Sequence, residues 1–146
     1  MKPRDFLKQL DETKVARAIQ EAEGRTSGEV RVFVTSEAIT GDDAFAHAAD
    51  RFEKLGMAAT RERNAVLLYF APRSHQFAII GDQGVHEKFG DALWQGIVSS
   101  IREKLLSGHV TEAVADGIAM VGEALAHHFP RRSDDRNELP DTIERD

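Results

Sequence analysis

Apolar positions along the chain switch between two periods. Between Asp11 and Gly24, Val15, Ala18, Ile19 and Ala22 recur at helical spacing, which predicts a helix capped by Asp11, running to about Glu23 and stopped at Gly24. In EVRVFVTS, Glu29 to Ser36, Val30, Val32 and Val34 alternate with Arg31, Phe33 and Thr35; this is the pattern of a strand with one better-covered face. A second helix is expected from an Asp42 cap to Leu55, carrying Phe45, Ala49 and Phe52 on one face and ended by Gly56. The run AVLLYFA, Ala65 to Ala71, is apolar at every position and suits a central strand covered on both sides. PRSH turns the chain and QFAIIGD returns it, predicting a hairpin. Two helices follow. One starts at Asp91 with Trp94, Ile97, Val98, Ile101 and Leu105 inward, and the other near Thr111 with Val114, Ile118, Val121 and Leu125 inward.

Strand, helix, strand, hairpin strand and two helices make an α/β fold. We expect a three-layer α/β/α sandwich on a small mixed sheet of three or four strands, in which a right-handed parallel crossover joins the first two. Residues 1–130 form one domain in this reading. The tail 131–146 is charged, has almost no apolar anchors and is expected to be disordered.

Charge and composition narrow the function. A chain of 146 residues, 41% hydrophobic and 30% charged, buries roughly two-thirds of its unfolded surface and needs no staples. The net charge of −6 and the absence of a basic stripe argue against nucleic acid as a partner. With no cysteine, any metal must be held by oxygen and imidazole. No run is long enough to span a bilayer and the first residues lack a signal-peptide core, so the expected setting is the cytoplasm. The signatures of nucleotide loops, zincin helices and dinucleotide turns are missing.

Topology points to one polar locus. If the first two strands are parallel and the third antiparallel to the second, the starts of the first and second and the end of the third share one sheet edge. That gathers TSGE (Thr26–Glu29), TRERN (Thr60–Asn64) and GDQGVHEKFGD (Gly81–Asp91). Glu29, Asp82 and Asp91 offer hard oxygen ligands and His86 offers nitrogen for a divalent cation. Arg61, Arg63 and Asn64 offer donors to an anion such as phosphate. Each also has a plainer role: Asp91 as a helix cap, Glu29 paired with Arg31 or Arg63, Asp82 closing a turn, and the arginines solvated beside Glu62. Ser27 lacks the strand-to-helix elbow of a nucleophilic serine. His47 and His109 read as solvated, His127 and His128 as favourable charges at a helix C-terminus, and Trp94 as core.

The passages TSGEVRVFV, LGM with TRERNAVLLYFAP, and FAIIGDQGVHEKFGDALW, taken in order, resemble the TPM domain family, which includes thylakoid acid-phosphatase-like proteins, photosystem II repair factors and many bacterial proteins. The resemblance runs from about Leu10 to Pro130 and implies an α/β/α sandwich, usually with a fourth strand. It places Glu29 where the family often has Gln, Asn64 on the family Asn, Gly84 on its second Gly and Asp91 on its later Asp. His86 stands where Glu is usual and Ala65 where Gly is usual. The resemblance implies a divalent cation, calcium in particular; His86 in place of a carboxylate shifts the expectation towards zinc or manganese. Two functions follow from it. The first is an interaction or regulatory module that binds a cation at the sheet edge and meets a protein partner, for instance a membrane-associated one. The alternative is a metal-assisted acid phosphatase acting on phosphate monoesters, with Arg63 steadying the anion.

Overall fold

The computed structural model describes residues 3–41, 43–131 and 143–146, with the backbone alone for 3–5. Its elements in chain order are α1 (Pro3–Gln9), α2 (Glu12–Glu23), β1 (Glu29–Val34), α3 (Ala44–Lys54), β2 (Ala65–Ala71), β3 (Gln76–Gly81), α4 (Gln83–Lys88), α5 (Asp91–Leu106), α6 (Val110–His128) and β4 (Ile143–Arg145). A single 3-10 turn at Pro72–Ser74 closes the β2–β3 hairpin. The sheet order is β3-β2-β1-β4. β1 runs parallel to β2 in the register Glu29↔Ala65 to Val34↔Phe70, and β3 runs antiparallel to β2 from Val66↔Gly81 to Ala71↔Gln76. The parallel pairing of β1 with β2 and the antiparallel hairpin are therefore as the pattern predicts.

Helices cover both faces of this mixed sheet. Val30, Val32, Val34, Val66, Leu68 and Phe70 point to one side and pack with residues of α1, α2, α5 and α6 such as Phe6, Ile19, Ile97, Ile118 and Leu125. Phe33, Ala65, Leu67 and Tyr69 point to the other, against Ala48 and Phe52 of α3 and Met57. Every residue of β1 and β2 is buried, so β1 is covered on both faces rather than chiefly on one. Each such aliphatic or aromatic side chain withdrawn from water stabilises the fold by about 1.5–3 kcal/mol.

Helix boundaries follow local chemistry. The Asp11 carboxylate accepts from Thr13 N and Lys14 N to start α2, and Gly24 ends it. The expected Asp42 cap lies outside the described residues; Asp43 accepts from Ala46 N at the head of α3. Asp91 is the first residue inside α5, with Gly90 at the cap.

The tail contains order that its composition hides. Residues 132–142 lie outside the described residues, but Ile143–Arg145 add β4 in parallel to β1, pairing Val32↔Ile143 and Val34↔Arg145. This corrects the expectation of a structureless tail for its last residues and supplies the fourth strand. Polar groups hold it there. Arg31, 6% exposed, donates from Nη2 to Glu144 Oε1 at 2.6 Å. Thr35 Oγ1 donates to the Asp146 carboxylate, as does Ser36 N at 2.8 Å, and Arg145 pairs with Glu12.

Candidate functional site

The ladder at the end of the sheet continues past β3: Asp82 N donates to Ala65 O at 2.9 Å, and Ala65 is in register with Glu29. Glu29, Ala65 and Asp82 thus form one row across three strands. The alternation that puts Phe33, Ala65 and Ile80 on the α3 face puts Glu29 and Asp82 there too. Two carboxylates, 3% and 6% exposed, flank the small Ala65, with their Cα atoms roughly 10 Å apart.

Arg63 neutralises one of them. Its Nε donates to Asp82 Oδ2 at 2.7 Å and its Nη2 to Oδ1 at 2.8 Å, a two-pronged pair that fits guanidinium to carboxylate. The Asp82 carboxylate holds Arg63 protonated still more firmly than usual. Asp82 also accepts from Gln83 N at 2.8 Å, capping α4. The arginine reaches this position from a left-handed backbone, φ 51°, which costs a residue with a Cβ on the order of 1–2 kcal/mol.

The turn carrying Arg63 fits closely against α4. A Cβ on Gly84 would lie 2.6 Å from Glu62 O and 2.7 Å from Arg63 O, and Gly84 N donates to Arg63 O at 2.9 Å. Gly81 is needed for a similar reason, since a Cβ there would meet the Trp94 ring at 2.9 Å. The two glycines of GDQG therefore serve close approach. They bring the TRERN turn, the strand end and α5 together.

A second polar cluster adjoins the first. Asn64, 2% exposed, donates from Nδ2 to Ser27 Oγ at 3.2 Å and to Glu62 Oε2 at 3.1 Å, while Ser27 Oγ donates to Glu62 Oε2 at 2.9 Å. Thr26 Oγ1 bonds to Phe129 O and accepts from Gly28 N at 3.0 Å. The three polar segments do meet at one rim, as the strand directions predict.

The expected ligand set is brought together only in part. Glu29, Asp82, Arg63 and Asn64 share the rim. His86 lines a cleft beside β3 instead, and Asp91 is exposed in the first turn of α5. Among the described residues, no three His, Asp or Glu side chains stand together to hold an ion. Of the expected oxygen donors, Glu29 and Asp82 share the row, and Asp82 is engaged by Arg63. Likewise the two anion-binding candidates, Arg63 and Asn64, already bond to carboxylates of the chain. Sequence reasoning missed Glu62 as the acceptor for Ser27 and Asn64. Its position two residues before Asn64, in a turn that faces TSGE, is the signal that was available.

Comparison with known proteins agrees with this geometry: the family model described as TPM domain matches residues 1–124. The chain belongs to the TPM domain family. Among solved structures, this TPM domain is similar to the BA42 protein from the psychrophilic bacterium Bizionia argentinensis, with 36% identity, a TM-score of 0.85 and 92% of each chain covered. It also shares its fold with the N-terminal domain of cg2496 from Corynebacterium glutamicum, at 17% identity and a TM-score of 0.59, over 77% of this chain and 70% of that one. No curated protein matches this chain. Among the described residues, no helix is long and apolar enough to cross a membrane.

Proposed function

We propose that this TPM domain is an interaction module whose rim takes up a divalent cation in competition with Arg63. The observation that carries the reading is the row Glu29–Ala65–Asp82, with two buried carboxylates on one face and only a methyl group between them. A guanidinium now supplies the positive charge that this row requires. Arg63 is 40% exposed through its side chain, whereas the Asp82 side chain is 5% exposed. The arginine is therefore the partner with a path into solvent, and the carboxylate the buried one. Hard oxygen donors favour calcium, magnesium or manganese over a softer ion, and His86, on the cleft side, drops out of the ligand set. Exchange of a long side chain for an ion changes the charge and the shape of the rim, which suits regulation of a contact with another protein.

Thermal melts of wild type and Arg63→Gln, each in EDTA and with millimolar calcium or manganese, test the reading. An ion that binds the native state raises its melting temperature, with about 2.7 kcal/mol of stabilisation at a hundredfold excess over Kd. The expected result is a modest rise for wild type and a larger one for Arg63→Gln, from which the competitor has been removed. Melts of both proteins that ignore every ion would refute it.

A further inference from the structure

We infer that the free edge of β3 is a docking groove for an extended strand of a partner polypeptide, one that combines apolar with acidic side chains. The inference rests on the interaction-module reading but not on the cation. It begins with the ladder. Because Asp82 N bonds inward to Ala65 O, the even-numbered residues of β3 face β2, and Phe77, Ile79 and Gly81 turn their N–H and C=O groups to the outside. Among the described residues nothing bonds to those outward groups. The opposite edge of the same sheet is closed by addition of a three-residue strand, β4. β3 offers a second edge of the same kind, and an unpaired edge is a template for another strand.

The walls of the groove are apolar. A cleft of about 570 Å³ runs along β3, and a second of about 520 Å³ adjoins it at the hairpin end; the two share His75, Gln76, Phe77 and Arg102. Among the described residues, the exposed large apolar side chains are Phe45 and Leu106, at 64% and 83%. Both line this groove, Phe45 from α3 in one cleft and Leu106 from α5 in the other. Trp94 and Val98 of α5 add to the wall facing the sheet. A strand of six residues, about 20 Å long, would place alternate side chains against α3 and against α5.

Charge selects the occupant. Among the described residues, those lining the two clefts include Arg102, His75 and, in the first, His86, and no carboxylate, in a chain whose net charge is −6. The Arg102 guanidinium lies 5.8 Å from the centre of the Phe77 ring, at the middle of the groove. An acidic side chain two residues from an apolar one would meet this cation while its neighbour fills the apolar wall. A second copy of this chain would bring the same cationic lining to the contact and is the less complementary occupant.

The test is selection from phage-displayed random dodecapeptides on the intact protein in EDTA, where the rim carries no added ion. The selected peptides should carry an acidic residue two positions from an apolar one. A synthetic consensus peptide should change the fluorescence of Trp94, the single tryptophan. Its affinity should fall at least about tenfold for Phe45→Asp and for Arg102→Glu, both changes at the groove surface, with the melting temperature of each variant unchanged. N-methylation of alternate peptide amides should abolish binding. Three results would overturn the inference: no enrichment, binding indifferent to both substitutions, or a wild-type dimer in sedimentation that Phe45→Asp dissolves. The last would assign the edge to self-association. Because no ion is present, failure of the cation reading leaves these outcomes unchanged.

Discussion

Replacing Gly84 by alanine separates the tertiary role of this residue from its local one. Glycine inside a helix costs about 1 kcal/mol relative to alanine, so from α4 alone the substitution should stabilise. The rim predicts the opposite. The added Cβ would stand 2.6 Å from Glu62 O and 2.7 Å from Arg63 O, and both are backbone atoms that cannot swing aside. Either α4 backs away or the turn does, at about 1–3 kcal/mol for overpacking. The bond from Gly84 N to Arg63 O, 2.9 Å, is weakened as well, at about 0.5–1.5 kcal/mol. After the propensity gain the net loss is about 0.5–3.5 kcal/mol, a fall in melting temperature of roughly 2–10 °C for a chain of this size. Calorimetry on Gly84→Ala beside Gly96→Ala provides the comparison. Gly96 lies in α5 with nothing within 4 Å of a Cβ, so its replacement should raise stability by about 0.5–1 kcal/mol. A Gly84→Ala protein that melts at or above the wild-type temperature would refute the close packing of α4 on the arginine turn.

Further outcomes follow from the same contacts. Arg63 sits at φ 51°, so Arg63→Gly should be more stable than Arg63→Ala by about 1 kcal/mol in urea denaturation, although both lose the pair with Asp82; equal stabilities would contradict the left-handed turn. Glu144→Gln leaves the buried Arg31 guanidinium without its carboxylate and should cost about 1–3 kcal/mol, with faster proteolysis of the C-terminal strand; an unchanged denaturation midpoint would mean that β4 contributes little. Burial by itself would raise the Asp146 carboxyl pKa, but hydrogen bonds from Thr35 and Ser36 outweigh it and hold the group below its ordinary 3.8. That depressed value makes the docking contribution full above about pH 4 and lost as pH falls through the lower folded value. The Ser36 amide resonance should therefore titrate with a midpoint below 3.8, and a midpoint above it would contradict the contact.

Strands and topology were legible because burial leaves a direct mark on sequence. Ala65–Ala71 is apolar at every position since helices lie on both faces, and the hairpin turn is marked by Pro72. Once the strand directions were assigned, the meeting of TSGE, TRERN and the end of β3 followed from geometry. Other features left fainter marks. α4 spans six residues with Gly84 in its first turn, too short for a helical period to register. β4 has one apolar residue and is held by Arg31, Thr35 and Ser36, so its signal lies in residues more than a hundred positions away. The role of Asp82 was masked for a similar reason: its partner Arg63 lies 19 residues earlier. A carboxylate and a guanidinium that each resemble half of a ligand site satisfy one another instead.

The row of Glu29, Ala65 and Asp82 is tested most directly by crystals of the wild-type protein soaked in manganese, with diffraction recorded for anomalous signal. An anomalous peak between the Glu29 and Asp82 carboxylates, with the Arg63 side chain swung into solvent, is the predicted result. A peak elsewhere on the molecule, or Arg63 still clasping Asp82 at saturating ion, would contradict the exchange at the rim.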